Sequence, residues 1–513
     1  MNEEQYHRLC DACDNVMLEH DSSISRVAIP WLHVIREHPQ FLNQYAELFQ
    51  PVWKARASIN NWKRTLRNRA GWSWQLARSM FEGGQAGFVS EGAPDKIDFL
   101  FVSHLVNTSQ IGQEADFYFG DIPSELAARG YTVVIALLNH TNSRNAHLSK
   151  GWSGSKVRRV IFSKSVGVFE ELAIHRRLER ESTLLRKLAE KQQTDLIGKV
   201  YRQASLEALS GGSQTALRIS EQVYSLVAKH HPKVVVVTYE GHAWERLAFA
   251  AARRAFPAVK CVAYQHAALF RMQHAIRRSL MNEYNPDHIL TAGTNSKAQF
   301  ESAPGLKGIQ ISVLGSNRSF KGAANIARQE QTQKQAVQSE KPACLVLPEG
   351  VLSECHILFE FSVECARADP DILFVWRLHP LVSFASLLAQ SPKLGNLPGN
   401  IVLSHSTMEE DIARSRWVLY RGTTAVVQAV VAGLRPIYLR LPDELSIDPL
   451  YELEGWRINI TNIAEFQRVI VEDSETTDCP QQSDISRAKR YCESLFTPFN
   501  VDAMTALIPE ALE

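Results

Sequence analysis

The segment Val234–Val237 is four valines in a row, followed by Thr-Tyr-Glu-Gly. A β-branched run with no polar alternation must bury both faces, which is the signature of an interior strand in a parallel sheet. Runs of this kind recur along the chain. They are IDFLFVSHL (97–105), YTVVIALLN (131–139), VRRVIFS (157–163), KVVVVTYEG (233–241), KCVAYQHA (260–267), HILTAG (288–293) and IQISVLGS (309–316). A second series comprises ACLVLPEG (343–350), ILFVWRLHP (372–380), NIVLSH (400–405), WVLYRG (417–422) and RPIYLR (435–440). Helical stretches fit between them, and strands alternating with helices predict βαβ units. The expected fold class is therefore α/β, with two Rossmann-like domains facing a cleft.

The polar stretch 321–342 carries almost no large apolar side chain and reads as a linker. The expected organisation is a helical N-terminal region (1–94), a first Rossmann-like domain (95–320), the linker (321–342), a second Rossmann-like domain (343–475) and a helical tail (476–513). With 45% hydrophobic and 22% charged residues, the 513-residue chain can build such cores. A formal net charge of +1 argues against a surface made for nucleic acid. No apolar run approaches the ~18 residues of a membrane span, and the first residues lack the pattern of a secretory signal. Eight scattered cysteines fit a reducing compartment, so a cytoplasmic location is expected. Cys10 and Cys13 have CxxC spacing without a second ligand pair, and they read as cysteines on a helix face.

One local departure from neutrality stands out. Between Trp53 and Arg78, four tryptophans interleave with seven basic residues (Lys54, Arg56, Lys63, Arg64, Arg67, Arg69, Arg78). This composition suits a helix lying on a membrane surface, and it equally suits a solvated basic helix whose tryptophans pack inward.

In open α/β sheets ligands bind beyond the carboxyl ends of the strands, so the residues there are the functional candidates. Glu240 and Gly241 follow the valine strand. A partly desolvated carboxylate there can serve as a base, and the glycine permits a sharp turn and close approach of a ligand. The competing role for Glu240 is capping the next helix. Gln265 and His266 close the following strand. In the second domain Arg377, His379 and Pro380 follow one strand, and two cationic-capable groups so close together suggest a phosphate. Arg421 and Gly422 end another, and Thr423 and Thr424 are expected to start a helix whose free N–H groups would seat a phosphate. Glu349 and Gly350 end the first strand of this domain and could touch a ribose or base. No metal motif closes a strand, and no metal or cofactor is expected.

With these residues in place, the chain resembles the GT-B glycosyltransferases that use CMP-activated sugars, the bacterial sialyl-, polysialyl- and Kdo-type transferases. Their short motifs, an acidic pair with Gly, His-Pro, and Ser-Ser/Thr, are matched by Tyr239-Glu240-Gly241, His379-Pro380 and Thr423-Thr424. Tyr239 replaces the first acid, and threonines replace serines. The resemblance covers about residues 95 to 470. Residues 116–131 also look like an uncharacterised group of surface-carbohydrate biosynthesis proteins. The resemblance implies a metal-independent inverting transfer from a CMP-sugar to a glycan or glycolipid. Glu240 would be the base, His379 would meet the departing phosphate, and Arg377, Arg421, Thr423 and Thr424 would hold it. His266, Gln265, Gly241 and Asp121 would lie on the acceptor side. A peripheral position at the inner face of the cytoplasmic membrane would follow.

The chain is also similar to the GT-B polyol-phosphate transferases of wall and capsule polymers. In that reading His266 would be the base and a CDP-alcohol the donor. A third alternative is a non-catalytic sugar-nucleotide-binding scaffold.

Overall fold

Every apolar run named above forms a strand in the computed structural model of the chain. The structure describes residues 1–19, 22–50, 56–81, 87–88, 96–141, 143, 145–148, 152, 155–192, 195–319, 341–380, 382–475 and 480–508. The expected linker at 321–342 lies almost wholly outside them.

The first sheet has eight strands: β1 (Gly87–Phe88), β2 (Phe99–Leu105), β3 (Val133–Asn139), β4 (Arg158–Ile161), β5 (Val234–Thr238), β6 (Lys260–Gln265), β7 (His288–Thr291) and β8 (Gln310–Val313). Their order is β1-β4-β3-β2-β5-β6-β7-β8. All pairs are parallel except β1 with β4. The second sheet has six strands: β9 (Ala343–Leu347), β10 (Leu373–Trp376), β11 (Ile401–Leu403), β12 (Trp417–Tyr420), β13 (Arg435–Leu439) and β14 (Ile458–Ile460). Their order is β11-β10-β9-β12-β13-β14, parallel throughout. Both are doubly wound sheets. In each, the order reverses beside the first long strand, between β2 and β5 and between β9 and β12, and the crevice at such a reversal is where ligands bind.

Two compact units contain these sheets. One comprises residues 1–266, 273–317 and 499–513, and the other residues 267–272 and 318–498. The helical front therefore belongs to the first unit. Its helix Glu3–Leu18 buries Leu9, Cys10, Cys13 and Val16 along one face. Burial pushes the Cys10 thiol up to about 12, as suits packing cysteines. Buried Arg26 ties the front to the helix Val168–Lys191 through Glu181, at 2.7 Å.

The tail does not act as one element. The helix Pro480–Leu495 lies in the second unit, while residues from Phe499 onward belong to the first. There Val501, Met504 and Leu507 join the core formed by Phe99, Ile135 and Val236. The apolar spacing of 501, 504 and 507 supplies a reason, since these side chains need a hydrophobic face to cover.

Candidate functional site

In the first unit, the carboxyl ends of β2, β3, β5 and β6 carry a cluster of imidazoles around one carboxylate. Glu240 follows β5. Its Oε2 lies 3.4 Å from His242 Nε2, and its Oε1 lies 3.7 Å from His266 Nε2 beyond β6. At the reversal itself, His104 of β2 contacts Thr238 Oγ1 of β5 at 3.0 Å through one ring nitrogen. Its other nitrogen meets His140 Nε2, just past β3, at 2.8 Å. Tyr118 packs edge-on against His266, and Trp244 against His104.

The capping role considered for Glu240 falls to another residue. Glu245, in the first turn of the helix Ala243–Ala255, accepts hydrogen bonds from the backbone N–H groups of Glu240 (3.0 Å), Gly241 (2.7 Å) and His242 (2.8 Å). One buried carboxylate thus fixes the turn, and the Glu240 side chain is left to the histidines. The spacing of an acid three residues into a helix was the available signal for Glu245.

Burial alone would raise the Glu240 pKa. The hydrogen bond with His242 and the positive charge of His266, His242 and Arg36 outweigh it and hold the carboxyl well below its usual range. For His242, burial opposes protonation, but the bond to Glu240 and the charges of Glu245 and Glu240 raise its pKa. His104 is the reverse case. Burial, with His140 beside it, drives it down to about 3, so it is neutral.

Several expected acceptor-side residues have structural work. Gly241 adopts φ +89°, and a Cβ there would fall 2.5 Å from the Ala275 carbonyl carbon. The space it frees is filled by the 275–276 backbone and not by a ligand. Buried Gln265 accepts from Ala292 N–H at 3.3 Å, tying β6 to the end of β7. Asp121 is exposed at the start of a short helix and makes no capping bond. In its loop the organising acid is Asp116, buried and bonded to Ser103 Oγ and to the N–H groups of Tyr118 and Phe119. Tyr239 turns into the core against Phe249, beneath Arg246.

In the second unit, Glu349, Gly350, His379 and Gly422 do converge at the ends of β9, β10 and β12. A Cβ on Gly350 would lie 2.8 Å from the His379 ring, and one on Gly422 (φ +69°) 2.8 Å from the Glu349 carboxyl carbon. Gly422 therefore accommodates a protein carboxylate rather than clearing room for phosphate. Burial lowers the His379 pKa, partly offset by Glu349. Pro380 holds the turn in which Val382 N–H reaches His379 O at 2.9 Å.

The expected cationic phosphate donors are already engaged. Arg377 binds the buried Asp411 at 2.8 Å and Ser406 O at 2.7 Å. Arg421 is 1% exposed and is held by Glu354, Glu444 and Leu439 O. Thr423 is buried, and its Oγ1 accepts from Ala425 N–H at 3.3 Å. The helix expected to start there begins later, at Val426, and runs only to Val431. Thr424 and His379 are half-buried at this edge.

This architecture defines a class: a chain of two doubly wound α/β units, each with polar side chains gathered where its strand order reverses. No family model matches the chain, and no curated protein does. It is similar to several solved structures. One is the glycotransferase of kitacinnamycin, 14% identical, covering 81% of this chain and 100% of that one, with a TM-score of 0.46. Another is UDP-GlcNAc 2-epimerase from Neisseria meningitidis bound to UDP-GlcNAc, 12% identical over 80% and 98%, TM-score 0.42. A third is Anabaena HepE in complex with UDP and glucose, 14% identical over 81% and 99%, TM-score 0.42. The fold assignment rests on the two sheets themselves.

Proposed function

We propose that the chain is a metal-independent inverting glycosyltransferase. It would move a Kdo- or nonulosonic-acid-type sugar from a CMP donor onto a surface glycan or glycolipid. The observation that carries this reading is the state of Glu240. Its helix-capping task is done by Glu245, and it stands beside two imidazoles at the reversal of the sheet. Its lowered pKa, opposite to the rise expected from burial, makes it a weaker base while His242 is protonated, so the proton-accepting form is the one with His242 neutral.

In this reading the acceptor hydroxyl gives its proton to Glu240 as the new bond to the anomeric carbon forms. The bond from that carbon to the phosphate oxygen breaks, and CMP leaves. His242 and His266 orient the carboxylate. Glu245 keeps the turn from moving as charge shifts. In the second unit His379 and Thr424, at the ends of β10 and β12, are among the residues that the resemblance assigns to the phosphate. Arg377 and Arg421 shape that edge through their carboxylate partners. CMP carries a single phosphate, so this chemistry does not call for a diphosphate–metal clamp.

The contact between His266 and Glu240 supports a second reading. There His266 is the base, Glu240 stabilises its imidazolium, and a CDP-alcohol is the donor. Separate substitutions distinguish the two. Transfer that survives His266→Asn but not Glu240→Gln supports the CMP-sugar reading, and the opposite pattern supports the CDP-alcohol reading. Binding without turnover in the unmodified chain would mark a scaffold. A thermal-shift series with CMP, CDP, UDP and GDP tests the donor, because a ligand stabilises the folded state according to its occupancy. Stabilisation by UDP or GDP above that by CMP would overturn the donor assignment.

A further inference from the structure

The helix Arg56–Phe81 carries two opposed faces with different tasks. Arg64, Trp72, Gln75 and Ser79 recur at helical spacing and face the protein. Arg64 pairs with Glu207, and the Trp72 ring stacks on His175 at 4.2 Å. Gln75 donates to Lys164 O at 2.7 Å, and Ser79 is buried. Shifting this series by two residues turns it by about 200°, to the far side of the helix. On that side lie Leu66, Ala70, Trp74, Ala77 and Phe81. They are exposed, with Trp74 at 69% and Phe81 at 88%. Ordinary helix design puts charge on the outward face. Here the outward face is apolar and aromatic, and exposed Arg67 and Arg69 sit at its margins.

The charge on this helix is one-sided. It contains Arg56, Lys63, Arg64, Arg67, Arg69 and Arg78 and no Asp or Glu. A soluble partner helix would meet the apolar stripe but gain nothing from the exposed Arg67 and Arg69 at its margins. A second copy of the chain would set cation against cation. A bilayer with anionic headgroups satisfies both features, since the aromatic stripe enters the headgroup–acyl boundary and the arginines reach the phosphates. Among the described residues no helix is long and apolar enough to cross a membrane, so contact would be in the surface plane.

We infer that the outward face of the helix Arg56–Phe81 docks the protein onto an anionic lipid bilayer. The inference does not depend on which donor is used.

The test is co-sedimentation of the full chain with phosphatidylcholine vesicles, with and without phosphatidylglycerol. Binding is expected only with the anionic lipid and should weaken as salt rises. The pair Trp74→Ala and Phe81→Ala should lower partitioning by about ten-fold or more, from the apolar area withdrawn from the boundary. Trp74→Phe should retain most of it. Arg67→Glu with Arg69→Glu should remove the dependence on anionic lipid. Trp74 and Phe81 are exposed, so an unchanged melting midpoint is expected for their variants; Arg67 lies within electrostatic reach of buried Glu207, so the charge-reversed variant is checked for folding by unchanged far-ultraviolet circular dichroism. Equal partitioning of all variants would overturn the inference. So would light scattering that shows a dimer dispersed by Trp74→Ala, or binding to soluble polyanions that matches binding to vesicles and ignores Trp74. The glycosyltransferase reading could fail with vesicle binding intact, and the reverse is equally distinguishable.

Discussion

Replacing Arg421 with methionine separates a structural cation from a substrate-binding one. Arg421 is 1% exposed, and its partner Glu354 has a side chain 3% exposed, while Glu444 keeps 30% of its surface. Methionine fills much of the same volume but takes the guanidinium away from the buried Glu354 carboxylate. Breaking such a buried pair from one side costs about 3–5 kcal/mol. Solvent-screened Glu444 adds little. For a unit of this size each kcal/mol moves the midpoint by roughly 2–4 °C, so the transition of the second unit should fall by roughly 6–20 °C. Glu354→Gln in the same background removes the buried carboxylate charge and should recover part of the loss. The assay is calorimetry of the parent, both single variants and the double variant, with the coupling read from the cycle. CMP should stabilise the Arg421→Met variant by the same increment as the parent at equal occupancy. An unmoved midpoint together with a lost CMP increment would refute the reasoning, because it would show that the guanidinium serves the ligand rather than the fold.

Other consequences follow from the first unit. Glu240→Gln should cut transfer by about 10²–10⁴-fold, the usual worth of a positioned base, and should also lower the melting midpoint, since a carboxyl held below its usual range stabilises the fold. His242 has a raised pKa and, when protonated, engages Glu240, so kcat/KM should rise as pH climbs through the titration of His242. His242→Asn should flatten that acidic limb. His33 is fully buried and its pKa is driven down to about 3 by burial. The unfolded chain therefore binds protons that the folded chain refuses. Stability from this group is full above about pH 6.5 and is lost as pH falls, by about 2 kcal/mol between pH 6.5 and 5. Denaturant titrations at those two pH values should show the loss, and His33→Gln should reduce the slope. Gly241→Ala forces a Cβ at φ +89° into the Ala275 backbone. It should destabilise by about 2–5 kcal/mol, which urea midpoints would register.

The sheets were legible because burial on both faces leaves a mark that needs no context. Runs such as VVVV and FLFV have no other comfortable place. What escaped was short or patterned differently. β14, Ile458–Ile460, is only three residues long and alternates apolar with polar, so nothing distinguishes INI from a loop. The helix after β12 starts later than its sequence suggests. TTAVVQAVV reads as one helix from the first threonine, but Gly422 at φ +69° and the bond from Ala425 N–H to Thr423 Oγ1 spend those residues on a turn. The division of the tail was equally hidden, because whether an amphipathic segment serves one core or another depends on where its neighbours end.

The sites show the same limit more sharply. Strand ends could be listed one at a time, and Glu240, His266, Glu349 and His379 do stand at them. The partner of each group could not be read, because partners come from strands far apart in the chain. His104 and Thr238 are 134 residues apart yet share a hydrogen bond across the reversal of the sheet. Arg421 and Glu354 are 67 apart and neutralise one another. A cation near a strand end suggests an anionic ligand only if no protein carboxylate reaches it first. Arg377 and Arg421 are both already claimed. The converse holds for Glu240, where a carboxylate that looked suited to capping is released from that task by Glu245, five residues further on. The chemical meaning of each side chain at these edges was therefore fixed by pairing rather than by residue type. In the first unit the Glu240 carboxylate faces His242 and His266, with Arg36 adding positive charge, so its state too is set by its neighbours rather than by its residue type.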